Sequence, residues 1–365
     1  MSGVAGSAPA AFVMPHFSDS PRTARFVREA VASVQAQTDP DWVLLVVDDA
    51  SPRVQDLAAL HRQSLRDPRI RVLRQPRNQG QGAARNRAVR EARAIGCELV
   101  LFLDCDDVAP ERRLEVTRAV FAVHPDVHFL YSPFEVVDHD GRSRAPGEVT
   151  SSVAEILAQF DRPLQGPDCW YRMMADTGYM TLTSTVSARC TTMLRYPFPE
   201  RFRGAEDVHC WLRIMSGEGR VHFEPSIPGR YRIASSPEGS ADRGRNAGQF
   251  YRRLVQVHRQ AYLHALLAAL SRGTLAPTAA PVAYLAGIDR LRATVTGEGE
   301  LALADELTEE IALLRSALAL GGEPVDPVVP ELPAAGATAA DSDTPVATAA
   351  ASAAPSAARR ARVAP

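Results

Sequence analysis

The chain has 365 residues, 45% hydrophobic and 23% charged, an ordinary globular composition with room for two domains or one large domain with additions. Its 41 basic and 43 acidic residues nearly cancel to a formal charge of −2, which excludes a nucleic-acid binder that works by bulk charge. Every basic residue is arginine, so lysine nucleophiles and lysine Schiff bases are excluded too. From the amino terminus, Phe12–Met14 reads as a strand and Arg22–Ala36 as a helix with Phe26, Ala30 and Val34 on one face. Trp42–Val47 is apolar on both sides, the mark of a strand covered on both faces. A helix over Val54–Leu65, a strand over Ile70–Leu73, a helix over Gly82–Ile95 and a wholly apolar strand at Leu99–Leu103 follow. This alternation predicts an α/β fold, a mostly parallel sheet flanked by helices. From Tyr131 to Ile233 the pattern loosens and Pro, Gly and aromatic residues increase, the composition of a part that shapes a pocket. Gln249–Leu320 reads as helical, most clearly at Glu300–Leu320, where Leu307, Ile311, Leu314 and Leu318 recur at helical spacing. Beyond Pro324 the Ala, Pro, Ser and Thr composition predicts disorder, because too little apolar surface is available to offset the entropy of ordering.

Cys97, Cys105, Cys169, Cys190 and Cys210 are odd in number and have no C-x-x-C spacing, which predicts reduced thiols in a cytoplasmic protein. Met1–Ala11 lacks the basic region of a secretory signal, and no apolar stretch approaches the roughly 20 residues of a membrane span. Arg359, Arg360 and Arg362 could draw the tail to the anionic inner face of a plasma membrane, and the C-terminal helices could support an oligomer.

The acidic residues fall where chemistry is expected. Asp48 and Asp49 end the second strand, and Asp104, Asp106 and Asp107 end the fourth. In an open parallel sheet, ligands bind outside the carboxyl ends of the strands. Carboxylates gathered there repel one another unless a cation lies between them, and an all-oxygen donor set selects a hard ion such as Mg²⁺ or Mn²⁺. Arg77-Asn78-Gln79-Gly80-Gln81-Gly82-Ala83-Ala84-Arg85-Asn86 runs from a strand into a helix, with glycines suited to close backbone approach and arginines suited to phosphate. Far downstream, Glu206-Asp207 opens an amphipathic helix, where a carboxylate can serve as general base for an acceptor hydroxyl. The ordinary readings of these residues are turn formation, helix capping and dipole compensation. Trp170, Tyr171 and Tyr179 could stack on a sugar ring or pack in a core.

Together these segments resemble family 2 glycosyltransferases, inverting nucleotide-sugar-dependent enzymes of the GT-A fold, over about residues 10–235. The resemblance implies a GT-A domain with a nucleotide-binding half over 10–130 and an acceptor-binding half over 131–235. A helical extension over 245–322 and a disordered tail over 324–365 complete the expected chain. Pro15-His16-Phe17-Ser18 stands where the family has a Pro-x-Tyr-Asn-like turn, with the aromatic kept and Asn replaced by Ser18. Val47-Asp48-Asp49-Ala50-Ser51 matches a Val-Asp-Asp-x-Ser segment, which implies base recognition by Asp49. Asn78-Gln79-Gly80 and Ala84-Arg85-Asn86 match the family's Asn-x-Gly and Ala-Arg-Asn. The nucleotide-sugar set implied is Pro15, Phe17, Asp49, Arg77, Arg85, Asp104 and Asp106, with Asp106 and Asp107 at a divalent metal, Mn²⁺ or Mg²⁺. Asp207, beside Glu206, is the implied general base, and Tyr231-Arg232 resembles a pair near the diphosphate. The implied reaction is one in-line displacement at the anomeric carbon of a nucleoside-diphosphate sugar, uridine diphosphate being the family's commonest carrier. The implied acceptor is a glycan, lipid-linked or small-molecule hydroxyl. Gln-x-x-Arg-Trp and membrane helices, carried by processive synthases, are missing, which implies a non-processive hexosyltransferase-type enzyme. Two other readings stay open, a sugar-nucleotide nucleotidyltransferase and a catalytically silent scaffold of the same fold.

Overall fold

In chain order the first elements are β1 (Ala10–His16), α1 (Thr23–Gln35), β2 (Trp42–Asp48), α2 (Val54–Arg66), β3 (Ile70–Arg74), α3 (Gln81–Ala94), β4 (Leu99–Phe102) and α4 (Arg113–Val123). They alternate as expected from the sequence, with ends shifted by a few residues. The structure is a computed structural model that describes residues 8–21, 23–217, 219–233 and 249–320. The expected tail at 324–365 lies outside the described residues, as do the first residues of the expected helical extension. The second half adds β5 (Val127–Tyr131), β6 (Phe134–Val137), α5 (Ser151–Ala158), α6 (Trp170–Arg172), β7 (Ser187–Arg189), α7 (Cys190–Arg195), α8 (Glu206–Met215), β8 (Arg220–Phe223) and β9 (Gly229–Arg232).

Seven strands form one sheet in the order β3-β2-β1-β4-β7-β5-β8, and β6 pairs with β9 in a small second sheet. Only β7 runs antiparallel to its neighbours, β4 and β5. All of β1 is buried, and all of β2 except Val43, because helices cover both faces. Pro15 lies inside this central strand although proline cannot donate to a ladder. The sheet tolerates it because β4 has already turned away: the last β4-side bond runs from the Leu103 N–H to the Val13 carbonyl. Parallel register then sets the carboxyl ends of β1 and β2 side by side, with His16 opposite Asp48.

One face of the sheet packs against α1, α2 and α4 through Val27, Val31, Leu60, Leu114 and Phe121. The other packs against α3, α8 and the residues around Trp170. Trp211 of α8 meets Phe129 at 4.8 Å, Phe198 at 5.4 Å and Phe102 at 6.0 Å between centroids. A buried aromatic removes about 150–250 Å² from water, so this cluster is a strong reason for α8 to lie against the sheet. The helices Phe250–Ser271, Ala280–Gly297 and Leu301–Leu320 contribute Tyr251, Tyr262, Leu291, Leu307 and Ile311 to the same core. Of the stripe expected on the last helix, Leu307 and Ile311 are buried while Leu314 and Leu318 are half-buried. The five cysteines are free thiols. Among the described residues no helix is long and apolar enough to cross a membrane.

Candidate active site

The paired aspartates after β2 have separate tasks. Asp48 is fully buried and accepts hydrogen bonds from His16 Nδ1 at 3.0 Å and from the Ser51 hydroxyl, with Arg74 at 3.3 Å. Burial pushes its carboxyl up, but the His16 and Ser51 hydrogen bonds outweigh this and hold it below the ordinary range. Asp49 faces the loop after β3. Its Oδ1 accepts from Gln75 Nε2 and the Gln79 N–H, and its Oδ2 from the Gly80 N–H, all at 2.7 Å. Ser18, where the family-like turn departs from Asn, is wholly buried: its N–H donates to the Ser51 hydroxyl and its own hydroxyl to Asp56 at 2.6 Å. The Ser18 side chain therefore anchors the turn to α2. Pro15 is buried in β1 and Phe17 is half-buried next to it. Arg77 stands exposed on the 75–80 loop.

The three aspartates after β4 also diverge. Asp104 is partly exposed, and its N–H donates to the Ser184 hydroxyl at 2.9 Å. Asp107 is buried with both oxygens engaged, one by the Ser184 hydroxyl and the other by the Arg232 N–H at 2.8 Å. Asp106 lies half-buried between them. Burial and the neighbouring Asp104 charge push its carboxyl up to about 6. Burial and both other aspartates push Asp107 well above the usual range. Such crowding of carboxylates is relieved by a cation, and the oxygen-only donors of Asp104, Asp106 and Asp107 fit a hard divalent ion. The hydrogen bonds of Asp107 also brace the loop. Among the described residues no three His, Cys, Asp or Glu side chains are grouped to enclose a metal.

Arg85 joins this end of the sheet to α8. Its guanidinium is buried and donates to Asp104 Oδ1 at 2.7 Å and Glu206 Oε1 at 2.8 Å. Burial disfavours the Arg85 charge, but Asp104 and Glu206 outweigh it and hold its pKa above the ordinary value. Glu206 is 1% exposed and also accepts from the Gly204 N–H at 3.1 Å. Its carboxyl is pushed up to about 7 by burial and by Asp207, against the pull of Arg85. Asp207 is half-buried, takes the Thr183 hydroxyl at 3.3 Å, and is raised by burial against the same pull. Gly82, which the sequence suggested for ligand approach, makes room for the chain itself: a Cβ there would lie 3.2 Å from Glu206 Cγ and 3.3 Å from Phe198 Cβ. Gly80 caps α3 at φ +90°, a conformation costly for other residues.

Thr183, Ser184 and Ala205 were not singled out in the sequence. Thr183 and Ser184 are adjacent, yet one hydroxyl reaches Asp207 and the other Asp107, so a dipeptide ties the two acidic segments together. The only available signal was an unusually hydroxyl-rich run, Thr181 to Thr185. Ala50 and Ala205 adopt left-handed φ values of 58° and 55°, directly after Asp49 and directly before Glu206. Non-glycine residues in that region carry strain of roughly 1–3 kcal/mol, which concentrates at functional sites. Arg232 is built into the scaffold, donating to the carbonyls of Asp106, Asp138 and His139 and to Glu29. Trp170 and Tyr171 are buried in the core, and Tyr179 is half-buried.

Acidic strand ends, joined by a buried arginine to a second acidic pair at one end of the sheet, make up the candidate site. Residues 12–182 match the glycosyl transferase family 2 model. TuaG of Bacillus subtilis (strain 168), a glycosyltransferase assigned to teichuronic acid biosynthesis, is 30% identical over 212 residues, 58% of this chain and 75% of TuaG. The chain belongs to glycosyltransferase family 2. Against other curated relatives the aligned stretch spans from 73% down to 9% of their length. Residues 1–349 of Staphylococcus aureus TarS in complex with UDP share the fold, with a TM-score of 0.51 at 18% identity over 87% of this chain and 94% of that one. GalNAc-T7 with UDP, GalNAc and Mn²⁺ gives a TM-score of 0.50 at 13% identity over 68% of this chain and 47% of that one.

Proposed function

We propose that the chain is an inverting, non-processive glycosyltransferase that moves one sugar from a nucleoside-diphosphate sugar, with uridine as the base, to an acceptor hydroxyl. The observation that carries this reading is Arg85 bridging Asp104 to Glu206, because it draws the donor end of the sheet and the Glu206-Asp207 pair into one site. Pro15, Phe17 and Asp49 hold the base, Asp104 the ribose, and Arg85 orients the acids around the diphosphate. Arg77, exposed at the rim, is positioned to meet the donor from outside. UDP in the TarS and GalNAc-T7 complexes supports the choice of base, and Mn²⁺ in the latter supports a divalent metal.

Asp207 takes the proton of the attacking hydroxyl. Burial raises its carboxyl, which strengthens it as a base, while the Thr183 hydroxyl and the adjacent Arg85 charge keep it ionisable. Glu206, held by Arg85, fixes the first turn of α8 and so aims Asp207. The hydroxyl attacks the anomeric carbon opposite the nucleotide, and the configuration inverts. A divalent cation held by Asp106 and Asp107 would neutralise the charge that grows on the departing diphosphate. Positioning of the two substrates supplies the rest, as it does for bimolecular transfers in general. The acceptor is a glycan, lipid-linked or small-molecule alcohol, reached in the cytoplasm or at the inner membrane face. The test is release of nucleoside diphosphate from a panel of UDP-, TDP- and GDP-sugars, with Mn²⁺ and with a chelator. Chelator-sensitive turnover of UDP-sugars supports the reading, and a folded protein that turns over none of them, with or without added acceptors, overturns it.

A further inference from the structure

We propose that Gln75 sets which nucleobase the donor site accepts, admitting a uracil or thymine edge and rejecting guanine. The inference deepens the proposed function and rests on Asp49 as the base-recognising carboxylate. Gln75 is the residue after β3, and its N–H extends the ladder to the Asp48 carbonyl at 2.8 Å, which sets its side chain beside Asp49. That side chain is buried, and its Nε2 donates to Asp49 Oδ1 at 2.7 Å. Its Oε1 accepts from Gln79 Nε2 at 2.8 Å, so the network fixes which face of the Gln75 amide meets the carboxylate.

A carboxylate has about four acceptor positions. On Asp49, Oδ1 already receives two donors, Gln75 Nε2 and the Gln79 N–H, while Oδ2 receives one, the Gly80 N–H. The open position is therefore on Oδ2. A uracil or thymine edge presents a single N–H between two carbonyl oxygens, and one acceptor satisfies it. A guanine edge presents two adjacent N–H donors, which pair with both oxygens of a carboxylate. The second donor would have to displace Gln75 from Oδ1 or remain unpaired. Loss of a bidentate pair of this kind is worth about tenfold or more in discrimination.

The experiment is titration calorimetry of the full chain with UDP and with GDP, each with Mn²⁺, for the wild type, Gln75→Leu and Gln79→Leu. The wild type should bind UDP at least about tenfold more tightly than GDP, and Gln75→Leu should narrow that ratio about tenfold by gaining GDP. Should Gln75→Leu not fold, Gln79→Leu must narrow the ratio in the same direction, because it removes the group that orients Gln75. An unchanged ratio in the folded variants, or a wild type that prefers GDP, overturns the role of Gln75 and leaves the nucleotide site standing. A folded wild type that binds neither nucleotide overturns the donor-site reading itself, and the role of Gln75 with it.

Discussion

Arg85 and Glu206 lie 121 residues apart in the chain and form a buried ion pair at 2.8 Å, each side chain 1% exposed. A buried charge that loses its partner is far more costly than an exposed one. Breaking such a pair by removing one member destabilises a protein by about 3–5 kcal/mol. Arg85→Leu should therefore lower the unfolding free energy by about that amount in urea titrations. Arg85→Lys keeps the charge but offers no planar fork to span Asp104 and Glu206 together, so it should fold and still lose most transfer. A Lys variant with full activity would show that bridging is dispensable.

Asp207→Asn removes the proposed base with little change in shape. General-base catalysis contributes about 10²–10⁴-fold, so transfer should fall by that factor or more while UDP binding by calorimetry stays within about twofold. Undiminished turnover would remove Asp207 from the reaction.

Thr183→Val deletes the hydroxyl that reaches Asp207 from outside α8. That hydrogen bond lowers the Asp207 pKa, so its loss should raise it further. The base must be ionised to act, and the acid limb of the pH–rate profile should move to higher pH. Thr183→Ser should restore the original profile, and identical profiles for all three proteins would refute the role.

The acid stability of the protein should depend on His209. It is buried between Phe202, at 5.9 Å, and His264, at 5.5 Å, with Arg201, Arg213 and His258 nearby. Burial and those positive neighbours push it down to about 3 from an ordinary 6.5. A group depressed in this way stays neutral in the fold and gains a proton on unfolding. Its contribution is intact above pH 6.5 and is lost as pH falls from there towards 3, by up to about 1.4 kcal/mol per pH unit. Glu206, raised from 4.5 to about 7, acts in the opposite sense, losing stability as pH rises through that interval. Comparison with His209→Phe isolates the histidine: the variant should lose less stability than the wild type between pH 6.5 and 4. Parallel pH profiles would show that His209 is not buried in its neutral form.

The α/β class and the acidic edge of the sheet were legible because their signals are local. Wholly apolar runs such as Trp42–Val47 announce strands covered on both faces, and aspartates directly after such runs must sit at one rim of a parallel sheet. The division of labour within each acidic group was not legible, since it depends on partners distant in sequence. Asp48 and Asp49 are adjacent and chemically identical, yet His16 draws the first inward while the 75–80 loop holds the second. Asp107 stands beside Asp106 in sequence, yet its hydrogen-bond partners, Ser184 and Arg232, lie 77 and 125 residues away. Gly82 carried a ligand-approach signal for a packing reason, because the close approach it allows is that of Glu206. The C-terminal helices read as an extension since their apolar stripe reveals burial but not against what; they complete the core around Trp211.

Asn86 holds Phe198 on both sides of its peptide unit, accepting the main-chain N–H and donating to the main-chain carbonyl, each at 2.8 Å. A side-chain amide thus does there what a neighbouring strand would do, and it does so at the approach to α8. With Asn86 as this clasp and Arg85 beside it as a bolt on Glu206, the connection from Phe198 to Glu206 is closed at both ends on α3. Closing a longer loop costs little more entropy than closing a shorter one, only about 0.6 kcal/mol per doubling. A change in the length of 199–205 therefore costs the fold little, so long as Asn86 and Arg85 keep their partners.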